Sequence, residues 1–242
     1  MQQTLSSFRT NDLTSLAYTG GGTSPVPISF AYANFAGGAT GLRYVISKRV
    51  ADIVLAIAGL MLMGLPMLLI ASAIRLTSKG PALFLQERIG LNGRRFVMRK
   101  FRTMYLHTEA RGRCLQATRH DPRVTWIGAV LRHTSLDELP QLLNVLDGSM
   151  SLVGPRPHAP GTCAAGRPFE AIIDHYEARH RVKPGMTGLA QIRGWRGETD
   201  TEEKLIRRID SDLEYIATWT VGGDLLIIWH TIATVLRMRN AY

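Results

Sequence analysis

A run of 22 residues without a charged side chain constrains this chain more than any other feature. The run extends from Ile53 to Ile74 and reads IVLAIAGLMLMGLPMLLIASAI. As a helix it would be about 33 Å long, which is enough to cross the hydrocarbon core of a bilayer. A soluble surface helix would carry a polar stripe, and this segment has none. The run therefore predicts membrane contact, and the alternative is a core helix buried in a globular protein.

Basic residues on both sides of this run bear on how it meets the membrane. They are Arg43, Lys48 and Arg49 before the run and Arg75 and Lys79 after it. A straight span would place one of the two groups on the outer side, against the positive-inside tendency. Pro66 lies just past the middle, where it removes a backbone hydrogen bond and favours a bend. We therefore expect a re-entrant helix-hairpin over residues 43–79 that bends at Gly64-Leu65-Pro66. An ordinary kinked span is the alternative.

Three charged residues stand at the start of the hairpin. Lys48 and Arg49 lie four and three residues before Asp52, so all three can share one helix face. They could form a solvated ion pair or anchor the helix at the level of the lipid headgroups. Because the apolar run follows directly, we favour the anchor.

Charge and composition narrow the class of partner. The chain has 242 residues with 29 Lys+Arg against 19 Asp+Glu, a net charge of +10. This excess predicts an anionic partner, which could be nucleic acid, anionic lipid or a phosphorylated substrate. The two cysteines, Cys114 and Cys163, form no CxxC pair, so neither a disulfide framework nor a zinc cluster is expected and a reducing, cytoplasmic setting fits best.

The chain divides into three parts by its pattern. Residues 1–42 contain only two charges and a glycine run, which predicts a disordered leader. Residues 80–242 read as a small mixed globular domain of mainly helical α+β class. Its predicted elements are a hairpin over residues 82–98, helices over 139–146, 202–219 and 224–236, and a strand over 151–153. The last helix is too short to span a bilayer and suits a helix on the core or at the membrane interface.

The strongest local pattern for chemistry is Thr134-Ser135-Leu136-Asp137-Glu138-Leu139-Pro140. Pro140 belongs in the first turn of a helix, so the helix should begin close to Asp137. There the macrodipole would keep both carboxylates ionised, as a nucleophile or a ligand for a hard cation requires. The alternative is structural: Asp137 caps the helix, or Ser135 and Glu138 form a capping box.

Basic residues converge on three short motifs of the same domain. Lys100 and Arg102 lie in RKFRT, Arg156 stands between two prolines in GPRP, and Arg193 and Arg196 lie in RGWRG. Arginine in a rigid loop suits bidentate phosphate recognition, and a solvated basic face is the alternative. Nothing here resembles a groove-reading helix or an RNA-stacking sheet, so nucleic acid is not expected as a partner. Asp210-Ser211-Asp212 has the form of a metal-binding DxD, but it lies within a helical pattern and is interpreted as chance.

From Lys48 onward the chain resembles the bacterial monotopic phosphoglycosyl transferases, also called polyprenyl-phosphate sugar-phosphate transferases. The matching pieces include KRVADIV, the apolar hairpin with its proline, MRKFRTM, RHTSLDELPQLLNVLDGSMSLVGPRP and VKPGMTGLAQIRGWRGETD. They are collinear over about four fifths of the chain. The GWRGETD piece resembles the branch that moves hexose-1-phosphate at the start of exopolysaccharide or capsule synthesis.

The resemblance implies an activity. Members transfer a sugar-1-phosphate from a UDP-sugar to undecaprenyl phosphate and release UMP. Asp137 would form a phosphosugar-aspartyl intermediate, and Glu138 would assist the second step or help bind Mg²⁺. Asp137 is also the expected Mg²⁺ ligand, because the metal offsets repulsion between a carboxylate and a diphosphate.

The resemblance also implies binding residues and a location. Arg88, Lys100, Arg102 and Arg156 fall in family motifs and suit phosphate binding, and Arg196 is the expected counterpart of a family arginine, with a shift of one residue that leaves Arg193 open. A re-entrant hairpin would place the domain on the cytoplasmic face of the bacterial inner membrane, in contact with its lipids. A homo-oligomer is left open. Outside the resemblance, a membrane-tethered basic module without catalysis and a phosphohydrolase are the alternatives.

Overall fold

The computed structural model describes residues 42–106, 121–197, 199 and 201–236, with side chains from residue 45 onward. The leader predicted over residues 1–42 lies outside this range, apart from the backbone of its last residue. The first element is helix α1, Leu42–Thr77, with 36 residues. Within the described ranges it is the one helix that is long and apolar enough to cross a membrane.

One face of α1 packs against the rest of the protein, and the opposite face is exposed. The packed residues are mostly three, four or seven positions apart, as one helix face requires. They are Asp52, Ala56, Leu60, Met67, Ile70, Ala71 and Ile74. On the other face the exposed fractions of Met61, Leu62, Leu65, Leu68 and Leu69 are 63–81%. Only 6% of the most apolar window of α1 is buried, so the core-helix alternative does not describe it.

Pro66 lies inside α1. The helix continues through it, so the expected end of one helix and start of another at Gly64-Leu65-Pro66 is not observed as a separate pair of elements. The structure shows an N-terminal apolar helix followed by a mixed domain.

The remaining elements form a mainly helical domain with small sheets, as expected for the α+β class. They are strands β1 (Leu83–Ile89) and β2 (Arg95–Phe101), helices α2 (Trp126–Thr134) and α3 (Gln141–Asp147), strands β3 (Ser151–Val153), β4 (Cys163–Ala164) and β5 (Arg167–Pro168), helix α4 (Phe169–Ile172), strand β6 (Gly185–Thr187), and helices α5 (Leu189–Ile192), α6 (Glu202–Thr218) and α7 (Val221–Leu236). Short 3₁₀ turns occupy Leu91–Gly93, Leu136–Glu138 and Tyr176–Arg181.

The predicted hairpin is confirmed as the antiparallel pair β1-β2, with Leu83 opposite Phe101. Its turn places Asn92 and Gly93 at φ 54° and 73°, in the left-handed region that these residues tolerate. Strand β3 pairs in parallel with β6, and β4 pairs antiparallel with β5. The predicted helices correspond to α3, α6 and α7, with ends shifted by a few residues.

The largest core cluster lies between the two last helices and the loops after β3. Leu205, Ile209, Leu213 and Ile216 of α6 are buried there, at the spacing that predicted an amphipathic helix. Ile227 of α7 packs on the same cluster. The outer side of α7 is also apolar, because Leu225, Trp229 and Ile232 are exposed.

The start of α1 is bonded to this domain. The Lys48 ammonium lies 2.6 Å from Asp224 and 3.4 Å from Asp52. Asp52 accepts hydrogen bonds from the Leu152 N–H and the Ser151 hydroxyl, both at 3.0 Å. The side chains of Lys48 and Asp52 are largely buried against protein, so this group is not a solvated ion pair.

Arg49 makes a second attachment at the same end. Its guanidinium donates to the carbonyls of Val145 and Leu146 at 2.5 and 2.8 Å. These carbonyls belong to the last turn of α3, where i+4 partners are missing, and the Val145 carbonyl also accepts from the Gly148 N–H at 3.2 Å. Arg49 therefore caps the end of α3, and the headgroup anchor at this end of α1 stays a prediction.

Arg102 attaches the other end of α1. This arginine is 4% exposed and donates to the Ser78 and Lys79 carbonyls and to the Ser78 hydroxyl at 2.5–3.0 Å. Its guanidinium therefore binds the chain just after α1. Both ends of the apolar helix are bonded to the same domain.

Replacing Asp52 with alanine tests this attachment. The substitution leaves the partly buried Leu152 N–H without its acceptor and removes one of the two carboxylates that neutralise Lys48. We expect the free energy of unfolding to fall by about 2–4 kcal/mol, measured by thermal unfolding in detergent micelles.

Glu87→Ala is the matched control. Glu87 pairs with Arg95, and both side chains are more than half exposed, so its removal should change stability by less than about 0.5 kcal/mol. Equal effects of the two substitutions would show that the contacts of Asp52 stabilise the fold no more than an exposed ion pair does.

Candidate active site

The two carboxylates predicted for chemistry lie in a short turn between helices. Helix α2 ends at Thr134, Ser135 adopts a left-handed conformation with φ 59°, and the 3₁₀ turn Leu136–Glu138 follows. Pro140 precedes the first residue of α3. The α-helix thus begins four residues after Asp137. Pro140 occupies the capping position of α3, Ser135 makes no side-chain capping bond and Glu138 binds other groups, so neither capping alternative is observed.

Glu138 is the centre of a buried ion cluster. Its Oε1 lies 2.9 Å from the Lys100 ammonium and 2.6 Å from the Arg156 guanidinium, and its Oε2 lies 3.4 Å from Arg196. Burial disfavours the carboxylate, but Arg156, Lys100 and Arg196 together outweigh it and hold the pKa of Glu138 well below its usual range. Four residues that the sequence predicted for the site are therefore in contact: Lys100, Glu138, Arg156 and Arg196.

Asp137 stands beside this cluster in a different state. Its carboxylate is half-buried and accepts no hydrogen bond from the residues that the structure describes. Burial, and then the neighbouring charge of Glu138, raise the pKa of Asp137 to about 6. The macrodipole was expected to keep both carboxylates readily ionised, but for Asp137 burial and the adjacent negative charge work against ionisation. At neutral pH it is mostly ionised, and its oxygen atoms accept no hydrogen bond from the described residues, as suits a nucleophile.

Lys100 reaches the cluster from the hairpin. Burial lowers the pKa of its ammonium, and the carboxylate of Glu138 opposes this shift. Arg88 lies on the same face of the hairpin, because residues two apart on a strand face the same side and Arg88 is opposite Phe96. Its guanidinium donates to the Pro157 carbonyl and to Gln86. Arg88 thus borders the cluster and also supports the loop that carries Arg156.

The structure separates the two arginines of the RGWRG motif. Arg193 forms a bidentate ion pair with Glu214, with Nη–Oε distances of 2.6 and 2.7 Å. Arg196 reaches Glu138. The residue that joins the cluster is therefore Arg196. The family resemblance had left open whether Arg193 or Arg196 has this place. Arg102, by contrast, is not brought to this site, since its guanidinium is used at the end of α1.

Some charged residues next to this site were not predicted from the sequence. Arg132 lies close enough to favour the ionised form of Asp137, and its guanidinium also donates to Thr103. The side chains of Arg179 and Asp212 form an ion pair with exposed fractions of only 1% and 2%. They are 33 residues apart, so no local pattern pointed to their contact. Asp212 belongs to the chance-like DxD, and its contact is with an arginine.

The donor set decides how a divalent cation would fit. The described parts of the chain contain no group of three His, Cys, Asp or Glu side chains that could hold a metal ion. Both oxygens of Glu138 face cations, which leaves Asp137 as the available carboxylate. Mg²⁺ is commonly held by one or two carboxylates together with substrate phosphates and water. The residues fit a Mg²⁺ ion shared with a phosphorylated substrate, and they do not form an all-protein cage.

Comparisons with known proteins show the family to which the chain is similar. A family model described as bacterial sugar transferase matches residues 43–238. The UDP-glucose:undecaprenyl-phosphate glucose-1-phosphate transferase of Escherichia coli (strain K12) is 50% identical over 195 residues, covering 81% of this chain and 41% of that protein. A protein of the same name from Caulobacter vibrioides is 50% identical over 196 residues, covering 81% and 72%.

A third relative has a related name. The undecaprenyl-phosphate glucose phosphotransferase of Komagataeibacter xylinus is 48% identical over 197 residues, covering 81% of this chain and 37% of that protein. The chain thus spans about two fifths of the length of the relatives from Komagataeibacter xylinus and Escherichia coli.

Substituting Asp137 with asparagine tests the state of this carboxylate. The ordinary pKa of Asp137 is 3.8, and its pKa in the folded protein is about 6. The free energy of unfolding of the native protein therefore falls as the pH rises between these two values, and the whole loss is present above them. We expect Asp137→Asn to raise the free energy of unfolding at pH 7 by on the order of 1–3 kcal/mol. The gain should shrink toward zero as the pH is lowered toward about 4.

Asp147→Asn should behave in the opposite way. Burial works against its ionisation, but hydrogen bonds from Arg99 and Ser149 lower the pKa of Asp147. This control should be destabilised at pH 7 and should recover relative to the native protein at lower pH. A destabilised Asp137→Asn at pH 7 would contradict the assigned state of Asp137.

Proposed function

The chain belongs to the bacterial sugar transferase family, and we propose that it transfers glucose-1-phosphate from UDP-glucose to undecaprenyl phosphate. UMP is the released nucleotide, and the lipid-linked product initiates exopolysaccharide or capsule synthesis. The names of the relatives support the two substrates. The observation that carries the proposal is the pairing of Asp137, whose oxygens accept no described hydrogen bond, with the three cations that Glu138 holds.

In the proposed first step, Asp137 attacks the phosphorus that bears the sugar. A bond forms between a carboxylate oxygen and this phosphorus, and the bond to the UMP oxygen breaks. The result is an acyl phosphate that carries the sugar, and free UMP. Because the pKa of Asp137 is about 6, the carboxylate is mostly ionised at neutral pH and needs no general base.

In the proposed second step, an oxygen of undecaprenyl phosphate attacks the same phosphorus. The new bond makes the lipid diphosphate sugar, and the bond to Asp137 breaks, which restores its carboxylate. The same cations serve both steps, since each places negative charge on phosphate oxygens.

Glu138 has an organising role in this proposal. An arginine has five N–H donors, so Arg196, which donates to Glu138 through Nη2, has further donors for phosphate. Three cations of like charge would repel one another without a buried anion between them. Glu138 therefore holds Lys100, Arg156 and Arg196 in place beside Asp137, and its engaged oxygens argue against a role as the main Mg²⁺ ligand.

Mg²⁺ is proposed as the cofactor. Asp137 would hold it together with phosphate oxygens of the nucleotide sugar. When bound, the ion would offset the repulsion between the carboxylate and the diphosphate.

We further propose that α1 enters and leaves the bilayer on one side, the cytoplasmic face of the inner membrane. The support is that both ends of α1 are bonded to the same domain, through Arg49 at one end and Arg102 at the other. A span would have to place these two attachments on opposite sides of the membrane.

Two further helices have apolar outer faces that suit the membrane interface. On α7 this face carries Leu225, Trp229 and Ile232, and on α2 it carries Trp126 and Val130. Tryptophan is enriched at the level of lipid headgroups. We therefore propose that α2 and α7 lie at the interface beside α1, and that the net charge of +10 adds attraction to anionic lipids.

The central experiment measures UMP release from UDP-glucose with undecaprenyl phosphate and Mg²⁺ supplied. Asp137→Asn should lower the rate by about 10³-fold or more while the protein stays folded and membrane-bound. Asp210→Asn, which changes a carboxylate of α6 outside the site, should leave the rate unchanged. Intact-mass analysis with UDP-glucose alone should show a hexose-phosphate adduct on the native protein and none on Asp137→Asn.

The alternatives give other results. Unchanged release in Asp137→Asn would reject the nucleophile. Repeated turnover without undecaprenyl phosphate would indicate a phosphohydrolase. Absence of UMP release from the native protein with any UDP-sugar would favour a binding module without catalysis.

The topology has its own test. Single cysteines at Ile46 and Lys79, in a background without Cys114 and Cys163, mark the two ends of α1. Both should react with a membrane-impermeant thiol reagent only when the cytoplasmic side is accessible. Reaction of one of the two from the outside would establish a span.

A further inference from the structure

The loop that carries Arg156 is fixed by a bond to each of four consecutive carbonyls. Pro155 accepts from the Gly185 N–H at 2.9 Å, and Pro157 accepts from Arg88 at 3.2 Å. His158 accepts from the Ile89 N–H at 3.1 Å. The remaining carbonyl, that of Arg156 itself, accepts from Arg179 at 2.6 Å. Loops normally leave many such groups to water, so this degree of bonding indicates a backbone held in one position.

Arg179 is a buried arginine behind this loop, with an exposed fraction of 2%. Its Nη2 donates to the Arg156 carbonyl and, at 2.7 Å, to Asp212. Its Nη1 lies 2.5 Å from Nδ1 of His158 and 3.2 Å from the Tyr176 hydroxyl. The guanidinium therefore contacts the loop at two points, the carbonyl of Arg156 and the ring of His158.

The ring of His158 is suited to accept this bond. Burial and then Arg179 hold the pKa of His158 well below its usual range, so the imidazole is neutral and its Nδ1 can accept hydrogen bonds. The Tyr176 hydroxyl also lies 2.6 Å from the same nitrogen. Arg179, Tyr176 and His158 thus form one buried hydrogen-bonded group under the loop.

A buried ion pair contributes little net stability to a protein core. Desolvation of Arg179 and Asp212 opposes folding, and apolar residues of similar size commonly give equal or greater stability. The ion pair fixes the orientation of the Arg179 guanidinium. Its planar set of donors then binds the Arg156 carbonyl and the His158 ring at the same time. On the front of the loop, the Arg156 side chain reaches Glu138.

We propose that Arg179, held by Asp212, is a positioning residue for the reaction, which acts by fixing the backbone of Arg156 so that its guanidinium meets Glu138 and the substrate phosphate. The inference rests on the proposed function, because it assigns Arg156 to that site. Asp212 sets the orientation of Arg179 and is not a metal ligand.

Arg179→Lys tests the proposal. A lysine keeps the positive charge for Asp212, but one ammonium cannot reach both the Arg156 carbonyl and the His158 ring. We expect kcat/KM for UMP release from UDP-glucose to fall about 10–100-fold, because displacement of a positioned group by about 1 Å is enough for such a loss. Hydrogen exchange at the Arg156 and His158 amides should become faster, with exchange in α6 unchanged.

Arg167→Lys is the matched control. Arg167 forms an exposed ion pair with Glu202 and also donates to a main-chain carbonyl, but it lies outside the site. The substitution should leave both kcat/KM and the exchange of the loop amides as in the native protein.

A gentler variant covers the case in which Arg179→Lys does not fold. Tyr176→Phe removes only the hydroxyl between His158 and Arg179, and it should lower kcat/KM about two- to five-fold with faster exchange at the same two amides.

Native activity in every variant that folds would overturn the proposal. So would a loss of activity accompanied by faster exchange throughout α6, which would mark Arg179 as a residue of general stability. If the native protein released no UMP at all, the proposed function would fail, while the exchange of the loop amides would still decide whether Arg179 fixes Arg156.

Discussion

The contact between the buried carboxylate of Glu138 and three cations is the interaction on which the site depends. It joins strand β2, through Lys100, to the loop after β3, through Arg156, and to the loop after α5, through Arg196. Without a shared anion these cations would repel one another in a poorly solvated place. The same contact also separates the two adjacent carboxylates. Glu138 is stabilised as an anion by its partners, while Asp137, beside it, has the raised pKa that burial and a neighbouring negative charge produce. Neighbouring carboxylates with opposite pKa shifts are typical of sites in which each has its own role.

The apolar helix is attached to the same framework. Arg49 binds the last carbonyls of α3, the helix that begins just after Asp137 and Glu138, and Asp52 binds β3, the strand that leads into the Arg156 loop. A membrane helix could have been joined to the domain by a flexible linker alone. Here its charged end packs against two elements that carry site residues. If α1 rests in the bilayer, as we propose, these contacts set the distance of the site from the lipid surface, where a lipid phosphate and a soluble nucleotide sugar must both arrive.

Local features of the fold and the site followed from the sequence because their causes are local. The β1-β2 hairpin follows from a polar turn with Asn92 and Gly93 between apolar strands, and α6 from its apolar spacing. Arg156 was singled out because two prolines restrict it. The partners of most charged residues were not predictable in this way. Arg102 and Arg49 were expected to face phosphate or headgroups, but Arg49 binds the last carbonyls of α3 and Arg102 binds carbonyls just after α1. A long cationic side chain has several favourable partners, and which one it meets depends on how distant elements pack.

The sequence by itself determined that the chain has an apolar helix of membrane length and that two adjacent carboxylates stand close to the start of a helix. These properties depend on residue type and on neighbours within a few positions. Only the tertiary structure decided that Glu138 binds the cations while Asp137 keeps its oxygens available, and that Arg196 rather than Arg193 reaches this site. The physical reason is that a carboxylate's charge state is set by burial and by charges close in space, and Lys100 and Arg196 lie 38 and 58 residues away from Glu138 along the chain.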